Sequence, residues 1–458
     1  MDFLKKGENT LIKSIKKSSK SLLALSMIMF LSACGNDASS ENKVDTGNTQ
    51  LVSATVIDDI NASTMLAYVK GAIDSNATNA FAYKAVKITY NTVNEDDTPV
   101  VASGLLVIPT ATDAYQAYRA SQGLSPFSVS MICENHGTIF ADSDAPTKQE
   151  IANGKPDYAT AVLMTGYAGF ASIDPDYIGF GESKGTVHPY IIKKASARAS
   201  LDMIKASMKY MEDNGIALNH QLYISGYSEG GYIAMATAQK VEDELSSVNL
   251  MGVVPMAGPY NVKDLADIEI DETRTMVYPA FLADLAYSYD HYYGDVNMSE
   301  IANSAITFPQ FQLAFNGDYD TVAIHTILGL ADPANGDYGF YTHKAFELFS
   351  TDFINDYQNN ANSPVKIRFE ENNLDNWVPR SKMNLIQCID DEIIPFSESQ
   401  NTYNKFLANG VDVTLTAIPT AMLSQQQDAT HPFVHANCGA TAYGAAVKWF
   451  AAIRNGDI

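Results

Sequence analysis

Basic residues are scarce in this chain of 458 residues: lysine and arginine total 30 against 53 aspartates and glutamates, a formal net charge of -23. Because such a surface repels polyanions, it excludes nucleic-acid partners. Internal repeats and long low-complexity tracts are also absent, and hydrophobic residues make up 46% of the chain. These features predict a mostly globular protein rather than a repeat array or a disordered one.

Cofactor signatures are missing as well. The sequence has no close cluster of His, Cys, Asp and Glu at metal-site spacing, and no glycine-rich phosphate loop ahead of a lysine. We therefore expect neither a metal nor a nucleotide cofactor.

The N-terminus has the pattern of a targeting segment. Six lysines precede the apolar run 22–31, which is too short for a membrane span and ends just before Cys34. The small residues before that cysteine resemble the lipobox of bacterial lipoproteins, which implies a signal peptide over 1–33 and lipid attachment to Cys34. An ordinary secretory signal with a coincidental cysteine is the alternative. Residues 34–50 are polar and predict a flexible tether, so we expect an exported lipoprotein of the cell envelope, at the outer membrane or cell surface.

Strands and helices alternate along most of the remaining chain. An antiparallel hairpin over 85–109 is followed by apolar strand segments separated by helical ones, which predicts an α/β fold with a mostly parallel sheet covered on both faces. The alternation stops over 260–379 and resumes at residue 380. A connection this long needs its own structure. We therefore predict a core over 51–259 and 380–458, with 260–379 inserted as a cap.

The segment 222–241 carries the strongest catalytic motif. A short apolar strand leads into Gly-x-Ser-x-Gly over 226–230, and helix-forming residues follow. Strand, motif and helix together predict a nucleophile elbow, with Ser228 in a strained turn and the Glu229 backbone N–H facing a developing oxyanion. A glycine-rich turn that contains serine by chance is the alternative.

An acid and a base should follow Ser228 in chain order. Asp391 lies in an acidic turn after the late strand 382–389, and Asp390 is the fallback for the same role. Two histidines, His431 and His435, precede the last predicted helix, 440–454. We favour His435, which would take the proton of Ser228 while Asp391 orients its ring.

The second oxyanion donor is expected in the loop after the third strand. That loop contains His136, Gly137 and Thr138. Glycine allows close approach of the backbone to a substrate, so the Thr138 N–H is the predicted donor beside that of Glu229, and His136 is predicted to be structural.

Together these residues resemble an α/β-hydrolase, and more narrowly its secretory lipase and esterase-like branch. The resemblance covers about residues 52–458 and rests on Ser228, Asp391 and His435 in that order, and on the segments 176–183, 188–190, 257–260, 373–379 and 435–438. It implies a central sheet with helices on both faces and a mainly helical cap between the serine and aspartate segments. In this pattern Asp176 and His188 are predicted to organise loops rather than to react.

The resemblance also bears on the cysteines. In this fold the loops of Asp391 and His435 are neighbours, and Cys388 and Cys438 flank them. They form either a disulfide or a pair of buried thiols, and Cys133 is then a buried free thiol.

The sequence therefore predicts a serine hydrolase that cleaves carboxylic esters, with a small-molecule or lipid ester as substrate and a lipid anchor as its membrane contact. A serine peptidase of the same fold would use the same triad. A non-catalytic surface lipoprotein that uses the fold as a binding module is the third reading.

Overall fold

The computed structural model describes residues 50–153, 162–270, 274–427 and 433–458. Within them nine strands form one sheet: β1 (Leu51–Ile60), β2 (Ala82–Val93), β3 (Pro99–Thr110), β4 (Val129–Asn135), β5 (Phe170–Pro175), β6 (Leu218–Tyr227), β7 (Asn249–Met256), β8 (Met383–Cys388) and β9 (Val413–Ile418). Their order across the sheet is β1-β2-β3-β5-β4-β6-β7-β8-β9. The first three pairs are antiparallel and every pair from β5 to β9 is parallel. The predicted hairpin and the mostly parallel sheet are thus confirmed.

The helices of the first core segment are α1 (Ala62–Ala72), α2 (Asp113–Ser121), α3 (Pro146–Asn153), α4 (Lys193–Asp213) and α5 (Glu229–Glu244). Those between β7 and β8 are α6 (Val262–Glu269), α7 (Pro279–Tyr292), α8 (Met298–Ile301), α9 (Phe308–Ala314), α10 (Thr321–Ile327), α11 (Ala345–Leu348), α12 (Thr351–Asn359) and α13 (Pro364–Glu371). The last two are α14 (Phe396–Ala408) and α15 (Val434–Asn455), and a π-helix spans Val162–Tyr167.

Both faces of the sheet are buried because alternate residues of its central strands enter different cores. On β4, Met131 and Cys133 pack with α4 and α5, whereas Ile132 packs with α15. On β6, Ile224 packs in the core on the α4 and α5 side, whereas Tyr223 packs on the α15 side. Since side chains alternate across a strand, continuous apolar strands require helices on both sides.

The long connection between β7 and β8 is helical in its described part. It holds α6 to α13, which agrees with the expected mainly helical insertion, although the limits 260–379 stay a prediction. The residue pattern of 275–287 predicts one amphipathic helix in this connection, and the helix observed there begins at Pro279. Proline favours the first helical turn and disfavours helix in the preceding residue, here Tyr278, which explains the later start.

Two other expectations need revision. The leading segment 51–69, whose pattern predicts a short helix over 63–69, also contributes β1 at the edge of the sheet. The last helix begins at Val434 rather than at residue 440, so His435 lies in its first turn and not in the preceding loop. His431 and the expected helical residues 158–161 lie outside the described residues.

Candidate active site

Ser228 lies in a tight turn between the end of β6 and the start of α5. Its backbone has φ 61° and ψ -124°, a strained conformation for a residue with a side chain. The turn closes only because glycines flank it: a Cβ on Gly226 would lie 2.1 Å from the Gly230 carbonyl oxygen, and a Cβ on Gly230 would lie 1.9 Å from that of Asn135. The geometry is that of the predicted nucleophile elbow.

The structure brings the predicted serine, histidine and aspartate into one hydrogen-bonded chain. Ser228 Oγ lies 2.9 Å from His435 Nε2, and His435 Nδ1 lies 2.7 Å from Asp391 Oδ2. Burial of His435 disfavours its charged form, but the carboxylates of Asp391 and Glu392 together raise the pKa of the ring. A base held this way can accept the serine proton and keep it as an imidazolium.

Asp391, and not the fallback Asp390, faces the histidine. The other oxygen of Asp391 accepts hydrogen bonds from the backbone N–H groups of Ile393 and Ile394, at 3.0 and 2.9 Å. Asp390 is exposed, and its carboxylate accepts a hydrogen bond from Thr420. The short turn therefore orients one acid inward and its neighbour outward.

Glu392 is a site residue that the sequence reasoning missed. Its carboxylate accepts hydrogen bonds from the N–H groups of Val434 (3.1 Å) and His435 (3.3 Å) at the start of α15. A helix N-terminus leaves such groups unpaired and favours negative charge, so Glu392 fixes the turn that carries the histidine. Burial raises the pKa of Glu392. Its position beside Asp391 was a signal, but its partners lie more than 40 residues along the chain.

The open question about the cysteines is answered by a disulfide between Cys388 and Cys438, with the two Cα atoms 6.2 Å apart. Cys388 ends β8 three residues before Asp391, and Cys438 lies three residues after His435, about one helical turn away. The bond therefore joins the two elements that carry Asp391 and His435. Cys133 is a buried free thiol, as expected.

The loop after β4 approaches the nucleophile as expected. A Cβ on Gly137 would lie 3.5 Å from Ser228 Cβ and 3.1 Å from the Tyr227 carbonyl oxygen. The next residue, Thr138, has its hydroxyl 3.1 Å from that of Tyr190. Both Thr138 and Glu229 therefore belong to segments that adjoin Ser228.

Asp176 and His188, expected to organise loops, make dense contacts away from the serine hydroxyl. The buried Asp176 carboxylate accepts hydrogen bonds from Ser103 Oγ (2.5 Å) and from the N–H and hydroxyl of Thr147 (2.8 and 2.6 Å). His188 Nε2 lies 2.7 Å from Glu229 Oε1, which is the side chain of the residue next to the nucleophile.

A mainly apolar, partly open cavity of about 80 Å³ lies beside Ser228. Helices α6 and α7 of the insertion supply nearly half of its lining residues, among them Leu265, Phe281, Leu282 and Leu285. Clefts of this kind are the usual place for an apolar ligand. Within the described residues, no group of three or more His, Cys, Asp or Glu is placed to hold a metal ion. No helix of those residues is both long and apolar enough to cross a bilayer.

Comparison with known proteins finds one matching family model and several similar solved structures. The model of the secretory lipase family matches residues 158–315. A structure of a putative hydrolase from Legionella pneumophila is 21% identical, with a TM-score of 0.70 over 88% of this chain and 98% of its own. The rice cell wall degrading esterase LipA from Xanthomonas oryzae is 18% identical, with a TM-score of 0.70 over 89% and 98%. Lipase A from Candida antarctica is 14% identical, with a TM-score of 0.53 over 81% and 76%. The curated proteins contain no match.

At these identities the solved structures establish the fold alone, while the family match covers the elbow and part of the insertion. Both agree with the resemblance drawn from the motifs. The chain has the α/β-hydrolase fold, and its resemblance to secretory lipases supports an ester hydrolase.

Proposed function

We propose that the protein is a serine hydrolase that cleaves carboxylic esters through an acyl-enzyme. The observation that carries this proposal is the chain of hydrogen bonds from Ser228 through His435 to Asp391 beside an apolar cavity. Each link has the length and the atom pairing that proton transfer requires.

In the first half-reaction the Ser228 hydroxyl gives its proton to His435 Nε2 while Oγ attacks the ester carbonyl carbon. The carbonyl π electrons move to oxygen, and the backbone N–H groups of Glu229 and Thr138 bind that oxyanion, each donor contributing about 3 kcal/mol. When the tetrahedral intermediate collapses, His435 protonates the departing alcohol and the serine is left acylated.

In the second half-reaction water replaces the alcohol. His435 removes a proton from the water, whose oxygen attacks the acyl carbon, and the same donors hold the second oxyanion. Collapse returns the proton to Ser228 Oγ and releases the carboxylic acid. Asp391 stabilises the imidazolium in both halves.

The insertion acts in this proposal as the cap that shapes the acyl site. The apolar side chains that line the cavity favour a hydrocarbon chain over a charged group, so we propose that it receives the acyl part of the ester.

The first test is hydrolysis of p-nitrophenyl esters from acetate to palmitate by the protein from residue 51 onward. Ser228→Ala should abolish activity, and the exposed Ser246→Ala should retain it. A fluorophosphonate should label the wild type and the control but not Ser228→Ala. A wild type that neither hydrolyses any ester nor takes the label would refute the proposal.

The acyl site has its own test. Leu282→Trp narrows the cavity, so the preferred chain should shorten by several carbons, whereas Leu313→Trp on the exposed side of α9 should leave the profile unchanged. Equal profiles in both variants would exclude this cavity as the acyl site.

We also propose that the chain is exported and anchored by lipid on Cys34, a residue outside those the structure describes. The lipobox-like segment and the similarity to secretory lipases support this. Expressed with its full N-terminus, the protein should incorporate an alkyne-labelled fatty acid and fractionate with membranes. Cys34→Ser should do neither, and labelling that persists in this variant would contradict the assignment.

A further inference from the structure

One short segment, His188-Pro189-Tyr190, contacts both residues proposed to supply the oxyanion hole. His188 Nε2 lies 2.7 Å from the Glu229 carboxylate, and the Tyr190 hydroxyl lies 3.1 Å from that of Thr138. His188 and Tyr190 are both buried. The two donors come from different parts of the chain, so a common contact can fix their separation.

The hydrogen bonds of His188 determine its charge. Nδ1 lies 2.8 Å from the Ile178 carbonyl oxygen, which only accepts, so Nδ1 carries a proton. Nε2 faces the Glu229 carboxylate, whose side chain is 1% exposed. Burial alone would lower the pKa of His188, but Glu229, Asp284 and the Ile178 carbonyl together raise it. The arrangement is a buried imidazolium–carboxylate pair.

Packing holds the pair against the oxyanion loop. The centre of the Tyr177 ring lies 4.0 Å from the centre of the His136 ring and 6.0 Å from that of His188. His136 directly precedes Gly137 in the oxyanion loop. The Tyr177 hydroxyl donates to the His136 carbonyl oxygen at 2.9 Å. The titratable groups that face His188 or its partner, on the core and on the insertion, are Glu229, His136, Tyr177, Tyr190 and Asp284.

Asp284 brings the insertion into the same cluster. It lies on α7, is 4% exposed, and burial raises its pKa to about 7. His188 favours its ionised form and Glu229 opposes it. The cationic histidine thus lies in the field of carboxyl groups from both the elbow helix and the insertion.

We propose that His188 and Tyr190 are positioning residues for the oxyanion hole, and that the charge of His188 offsets the carboxylate of Glu229 beside the reacting serine. The inference rests on the proposed function. A negative charge developing near Ser228 would be repelled by an uncompensated buried carboxylate on the next residue. Paired with His188, that carboxylate holds the start of α5 without adding net charge.

The experiment compares His188→Gln, Glu229→Gln, the double variant and Tyr190→Phe. Each is assayed for kcat and KM on p-nitrophenyl butyrate, and for inhibition by phenylboronic acid, whose adduct with Ser228 is tetrahedral and anionic. We expect His188→Gln to lose about 10- to 100-fold in kcat and in boronate affinity, with KM changed less than about threefold. Tyr190→Phe should lose roughly three- to tenfold in kcat.

The double variant tests whether the uncompensated charge of Glu229 causes the loss in His188→Gln. The double variant has no buried carboxylate to compensate, so its kcat and boronate affinity should return to within about threefold of Glu229→Gln. His343→Gln serves as the matched control, because it removes a histidine–glutamate pair of the insertion, His343 with Glu347, outside this cluster. It should leave both readouts unchanged.

The outcomes separate the possible failures. If His188→Gln lowers only the melting temperature, with kcat and boronate affinity intact, the pair is merely structural and the proposal is overturned. A double variant as impaired as His188→Gln would overturn the charge argument. If His188→Gln does not fold, two other results still decide. Unchanged boronate affinity in Tyr190→Phe would overturn its positioning role, and a double variant far weaker than Glu229→Gln would overturn the charge argument. A wild type inactive on every ester would instead be a failure of the proposed function.

Discussion

Replacing the three consecutive acidic residues 390–392 one at a time should produce three different losses of activity. Asp391→Asn replaces the 2.7 Å contact to His435 with an amide that favours the wrong ring tautomer. We expect kcat to fall by about 10⁴-fold, or about 5 kcal/mol in activation free energy. Asp390→Asn is the matched control: its side chain is exposed and bonded to Thr420, so kcat should change less than about twofold.

Glu392→Gln should fall between these extremes. A carboxylate at a helix N-terminus stabilises the helix by about 1 kcal/mol. If the loss of this interaction at the start of α15 raises the activation free energy by the same amount, kcat falls about fivefold. Because Glu392 also helps to raise the pKa of His435, the acidic limb of the pH profile should move to lower pH. The assay is kcat/KM on p-nitrophenyl butyrate from pH 5 to 9. A large loss in Asp390→Asn with an active Asp391→Asn would refute the assigned register.

The structure makes three further predictions. Gly230→Ala places a Cβ 1.9 Å from a backbone oxygen of β4, so this variant should have a lower melting temperature or fail to fold. In Gly444→Ala the new Cβ meets no atom within 4 Å, so the melting temperature should stay the same or rise. Equal melting temperatures for the two variants would contradict this. Replacing Cys388 and Cys438 by serine removes the cross-link that closes a loop of 50 residues, which should lower the free energy of unfolding by roughly 4 kcal/mol. The loss should appear as a lower urea midpoint. An unchanged midpoint would contradict this prediction. His435 must be neutral to act as a base, and its pKa is raised above 6.5. We therefore expect kcat/KM to fall as the pH decreases, with the midpoint of that fall above pH 6.5. A midpoint below 6.5 would be inconsistent with the ion pair between His435 and Asp391.

Periodicity and turn chemistry are local properties, and the sequence alone determined what depends on them. The hairpin predicted over 85–109 forms as β2 and β3, and the strand predicted over 382–389 forms as β8. The elbow at Ser228 was recognisable because only glycine fits at 226 and 230. The order serine, aspartate, histidine followed because each lies beyond a strand of a parallel sheet, whose carboxyl ends share one edge.

Only the tertiary structure decided which neighbouring side chain faces the site. Asp390, Asp391 and Glu392 share one turn, and their directions depend on contacts with Thr420, His435 and the start of α15. No local pattern encodes those partners, because each lies about 30 to 45 residues away. The beginning of α15 at Val434 was missed for the same reason: its cap is supplied by a distant glutamate and not by the preceding residues.

The disulfide and the pair of His188 with Glu229 are the strongest cases. Spacing alone gives no sign that His188 meets Glu229, and the disulfide was one of two alternatives that only the family resemblance raised. The disulfide joins the end of β8 to the first turns of α15, and the ion pair joins the segment before α4 to the start of α5, so both contacts depend on how these elements pack. The sequence therefore identified the groups that we propose to react, because their motifs are local. The tertiary structure decided their register, charge and support, because these depend on burial and on partners brought together only by folding.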